Sequence, residues 1–175
     1  MMPLAETLKF LLLVPIAVVV TYFDVRYRRI PNLVVLATLV AGLVINIALG
    51  SWHGAIVSVQ GFGLAFVPML LLHLFGAMGA GDVKLAGAVG AVLGVSLVPS
   101  ALLVIVMLGA ALAIYSMIRS RTVFATLHGV LRIFVGIIPG WEMPRFALPK
   151  DRKHTIPYGV AIMMGSLITI AVLRH

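Results

Sequence analysis

Long apolar stretches, separated by short turns, limit what this chain can fold into more than any other feature. Leu8–Phe23, Leu33–Leu49, the interior of Ala55–Phe75, Val83–Val98, Pro99 to about Ile118, and Ile156–Leu173 each read as a helix crossing a bilayer. Of the 175 residues 62% are hydrophobic and 10% charged, too few charges to cover a water-soluble domain. The expected class is therefore all-α: a polytopic membrane protein of about six transmembrane helices. Thr122–Ile138 differs in character. Val123, Leu127, Val130, Leu131, Phe134 and Ile138 recur at helical spacing while His128 and Arg132 interrupt, so it reads as an amphipathic helix along the membrane surface or packed beneath the bundle. Residues 1–175 form a single membrane domain, with this helix and a polar loop occupying about 119–155.

The turns carry the remaining signals. The first span ends at Asp24 and a loop with Arg26, Arg28 and Arg29; Pro31 stops its helix and Asn32 is placed to cap the next. Its flanks do not fit a cleaved signal peptide, because Glu6 and Lys9 nearly cancel and no small-residue cleavage site follows. Of the thirteen Lys and Arg residues, only Lys9 and Arg174 fall outside three segments: the loop after span one, the turn before span four, and the stretch between spans five and six. The positive-inside bias then puts those segments in the cytoplasm and both termini outside, in the inner (plasma) membrane. The net charge of +8 is explained by this topology and does not call for nucleic acid.

Within so apolar a chain, an ionisable group beside a span is a functional candidate. Asp82 follows Gly76, Gly79 and Gly81 and opens the fourth span, and Asp24 closes the first. Both fall at the cytoplasmic end. Two carboxylates brought within a few ångströms share a proton near neutrality. The ionised one can then take a proton from water while the protonated one donates, which is the chemistry of peptide hydrolysis without a metal or a covalent intermediate. Helix dipoles alone would leave the charge on Asp82, at a helix N-terminus, and the proton on Asp24, at a C-terminus. Other roles stay open: Asp24 could pair with Arg28, Asp82 could act as an N-cap beside Lys84, and membrane-edge aspartates could bind protons or cations in a small transporter or channel. The five histidines show no ligand spacing for a metal, no cysteine is present, and Ser96, Ser100 and Ser166 lack the context of a serine nucleophile. No cofactor is expected.

These residues carry a resemblance. Gly79-Ala80-Gly81-Asp82 resembles the GxGD motif of intramembrane aspartyl proteases, and its extension through Val83-Lys84-Leu85 resembles the type IV prepilin peptidases. Asp24 with Arg29-Ile30-Pro31-Asn32 resembles that family's first catalytic block, and Ile156-Pro157-Tyr158-Gly159 a block before its last helix. The resemblance implies a catalytic pair, Asp24 and Asp82, supported by Gly79, Gly81, Lys84, Arg29, Pro31, Asn32, Pro157, Tyr158 and Gly159. It implies removal of a short basic leader from a prepilin or pseudopilin precursor helix at the cytoplasmic face of the bilayer, and sets no oligomeric state. Lacking cysteine and having a short first loop, the chain resembles the peptidase-only branch associated with Flp/Tad pili, without the N-methyltransferase activity of larger relatives.

Overall fold

The computed structural model of the chain describes residues 4–74, 78–120 and 158–172. The expected amphipathic helix, the basic loop after it, Gly76 and Pro157 lie outside the described residues. Those described form five helices and no strands: α1 Leu4–Tyr27, α2 Asn32–Leu74, α3 Ala80–Leu93, α4 Val98–Ser120 and α5 Tyr158–Val172. α1, α2 and the stretch Val98–Ser116 are long and apolar enough to cross a membrane.

The expected second and third spans run together as α2, a 43-residue element broken at Ser51, whose φ of 51° and ψ of −133° are not helical. The chain reverses there. Asn46 before the break and Ser58 after it both donate to the Ala91 carbonyl of α3, at 2.8 Å each. A Cβ at Gly54 would run into the Asn46 carbonyl, so only glycine lets the two arms close this tightly at the turn. Trp52 projects from the tip, 79% exposed.

α3 is the most deeply buried helix, packed chiefly against α2 and also against α5. Val83 and every residue from Leu85 to Leu93 are buried, as expected of a helix apolar on all sides. Its Ala and Gly residues let neighbouring backbones come close. A Cβ on Gly42 of α2 would lie 2.8 Å from the backbone nitrogen of Val92, and one on Gly87 would lie 2.8 Å from the Phe62 ring. α5 packs against α1, α4 and α3. Its contact with α4 is equally tight, for a Cβ on Gly165 would lie 3.1 Å from the Ile105 backbone. Outside this core, Leu11, Val18, Leu36, Val59, Leu103 and Val106 are exposed apolar side chains, as a lipid-facing surface requires.

The boundaries of two expected spans change. α1 continues to Tyr27, so Asp24 belongs to its last turn and not to a loop. The fourth span ends at Leu93 instead of Val98, because Gly94 takes a positive φ of 79° and its N–H closes on the Gly90 carbonyl at 2.9 Å. Hydropathy passes unbroken over this stop, and Pro99 falls in the first turn of α4, a position proline tolerates.

Candidate active site

α1 ends in a strained turn. Arg28, at φ 52°, adopts the left-handed conformation and its N–H bonds the Asp24 carbonyl at 3.1 Å, a helix stop usually given to glycine. The chain then runs through Ile30 into α2. The Pro31 carbonyl accepts from the N–H groups of Val34, at 3.0 Å, and Val35, at 3.3 Å. Pro31 is thus the capping position, and Asn32, expected to cap, is an exposed first helical residue. Proline wins the place because the chain must leave the helical conformation before it.

Asp24 is 6% exposed, and its charge and that of Arg28 act on one another. The backbone N–H groups of Gly159 and Val160, in the first turn of α5, donate toward its carboxylate, while Oδ2 is buried with no hydrogen-bond partner. A Cβ on Gly159 would lie 2.7 Å from Oδ2 and 3.2 Å from the Ile30 side chain. Glycine at 159 therefore gives the carboxylate its room, and the open end of α5 gives it a positive field. The amides of α5 oppose the dipole of α1 at Asp24, through a contact between segments 135 positions apart along the chain.

Asp82 lies in the first turn of α3, with Gly79 as the N-cap. The Gly79 carbonyl accepts from the N–H of Asp82 at 3.1 Å, and its N–H donates back to the Asp82 carboxylate, which is the N3 half of a capping box without an N-cap side chain. A Cβ on Gly79 would lie 2.9 Å from Asp82 Oδ2. The imidazole Nδ1–H of His73 donates to the Met78 carbonyl at 2.7 Å and ties the end of α2 to this turn.

The two carboxylates fall at the same end of the bundle. The charge of Asp24 acts on Asp82, and that of Asp82 on Tyr158. Ile30 links the elements: it meets Gly159, and its Cβ lies 3.8 Å from where a Cβ on Gly81 would be. Tyr158, which would ordinarily read as an interfacial aromatic, is half-buried, with its ring 3.1 Å from a Cβ built on Gly109 of α4. Arg29 and Lys84 point to the exterior. Gly81 has room for a side chain, unlike Gly79. Ile30, Val160 and His73 are the residues here that the motifs did not single out. Ile30 sits inside a quoted block, but its role depends on contacts with distant segments.

The sequence matches the type IV leader peptidase family over residues 11–114, and the chain belongs to that family. No curated protein and no solved structure matches it. The matched stretch contains both Asp24 and Asp82 and ends before α5.

Proposed function

We propose that this protein is a membrane aspartic endopeptidase that cuts the leader from Flp-type type IV prepilins at the cytoplasmic face, with Asp24 and Asp82 as its general base and acid. The observation that carries the proposal is the placement of these two aspartates within each other's field, each with a glycine against its carboxylate. Family membership supports the reaction class.

In this reading Asp24, faced by the amides of α5, is the ionised partner, and Asp82 holds the proton. Asp24 takes a proton from a water whose oxygen attacks the scissile carbonyl carbon, and Asp82 gives its proton to the carbonyl oxygen. The tetrahedral diol then collapses. The carbon–nitrogen bond breaks, the leaving nitrogen takes the proton held by Asp24, and Asp82 recovers one from the diol. The peptidase-only assignment follows from the same resemblance, and N-methylation is not assigned.

The proposed topology counts α1, both arms of α2, α3, α4 and α5 as six crossings, with both termini outside. Tyr22 and Tyr27 flank Asp24 with edge-on rings 6.1 Å apart, and Trp52 marks the opposite end of the bundle, in keeping with two interfacial belts. α3 has 14 residues and α5 15. Such helices span about 21 and 22 Å, short of a hydrocarbon core of about 30 Å. The membrane is then thin at the site, where the end of a substrate helix could reach the aspartates.

The test is to incubate purified protein in proteoliposomes with a Flp-type pilin precursor and to locate the cut by mass spectrometry. One cut between the basic leader and the apolar helix is expected. No cleavage, with proton or cation flux in the same vesicles, would favour the transporter reading instead.

A further inference from the structure

The far end of α3 carries an unusual set of contacts. A helix leaves its last carbonyls without intrahelical donors, and deep in an apolar bundle each must find another. Here Gly94 N–H takes the Gly90 oxygen. Asn46 Nδ2 donates to the carbonyls of Ala91 at 2.8 Å and Val92 at 3.3 Å, and Ser58 Oγ also donates to Ala91. The Lys9 ammonium donates to the Leu93 carbonyl at 3.0 Å. Lys9 is only 9% exposed, Asn46 5% and Ser58 1%. A buried ammonium among apolar helices is costly, and the negative end of a helix is one of the few surroundings that offsets the cost.

The three donors come from α1 and from both arms of α2. α1 also carries Asp24, fifteen residues beyond Lys9. α1 therefore bears on both ends of α3: Lys9 bonds its C-terminal carbonyl, while just past the other end of α1 Ile30 comes to Gly81 and the charge of Asp24 acts on Asp82.

We infer that Lys9, Asn46 and Ser58 are positioning residues for the proposed reaction: by capping the C-terminal carbonyls of α3, they fix its height in the bundle and thereby set Asp82 against Asp24. The consequence for cleavage rests on the two-aspartate reading; the geometry does not. Asp82 lies about 17 Å along α3 from Leu93, so a slip at one end is carried as a rigid shift to the other. Contacts rank the donors. Lys9 carries the Leu93 oxygen and Asn46 spans two carbonyls, whereas Ser58 shares its oxygen with Asn46.

A disulfide reads that height directly. The chain has no cysteine, and Ile30→Cys with Gly81→Cys would place two Cβ atoms near the 3.8 Å separation that a disulfide favours. In that background, Lys9→Met and Asn46→Leu are expected to slow oxidative crosslinking at least about fivefold, and in the cysteine-free chain to lower kcat about tenfold with KM little changed. Lys9→Arg should restore both. Ser58→Ala and Asn46→Ser, milder changes that guard against loss of folding, should show the same effect at about twofold. Crosslinking at the parental rate in all folded variants would overturn the inference. Crosslinking that falls as expected in a protein that cuts no precursor would uphold the positioning geometry and overturn the peptidase reading.

Discussion

Gly159 stands so close to Asp24 that a methyl group at 159 would lie 2.7 Å from Oδ2 and 3.1 Å from Cγ of the carboxylate. The open turn of α5 thus does two things at once: its amides face the carboxylate, and its missing side chain leaves the carboxylate its place. Gly159→Ala should displace Asp24 without unfolding the bundle. The expected result is a fall in kcat of about a hundredfold, measured on a pilin precursor, with thermal unfolding in detergent near the parent's.

The two glycines of the GxGD turn should differ. A Cβ on Gly79 would lie 2.9 Å from Asp82 Oδ2, whereas one on Gly81 meets only Ile30 at ordinary contact distance. Gly79→Ala is therefore expected to reduce cleavage at least about tenfold more than Gly81→Ala does. Parallel kinetics on the two purified variants will check the ranking.

Stability should respond elsewhere. A Cβ on Gly42 would meet backbone atoms of Val92 at 2.8 and 2.9 Å, and a packed backbone cannot turn aside as a side chain can. Gly42→Ala should cost about 1–3 kcal/mol through overpacking, seen as a lower unfolding midpoint in detergent.

In the proposed mechanism two carboxylates share one proton, and a dependence on pH follows from it. Below the first titration of the pair both are protonated and no base remains; above the second both are ionised and no acid remains. Activity should therefore be lost as pH falls through the lower step and again as it rises through the upper one. A bell-shaped profile of kcat against pH is expected, and both limbs should stay in place when chelator is added.

Much of this was legible in the sequence, because the strongest signals are local. The apolar runs placed the helices, and Asp24 and Asp82 stood out as acids at the ends of such runs. What was hidden depends on contacts between distant segments. Val83–Val98 is apolar throughout, so nothing in its hydropathy shows that Gly94 turns left-handed and ends α3 at Leu93. Asn46 and Ser58 look like stray polar residues within apolar arms until the reversal at Ser51 brings both to the Ala91 carbonyl. Lys9, in the sequence only one of two basic residues outside the segments expected in the cytoplasm, is buried against α3. In the sequence Gly159 is only the last residue of a motif; its closeness to Asp24 exists only once α5 docks against α1.

The most direct measurement is single-turnover cleavage of a purified pilin precursor by the parent protein, Asp24→Asn and Asp82→Asn in the same proteoliposomes. Each substitution removes an acid or a base while keeping size and shape, so both variants should bind the precursor as the parent does and cut it at least about a thousandfold more slowly. If either variant cuts within about tenfold of the parent's rate, the two-aspartate mechanism is contradicted.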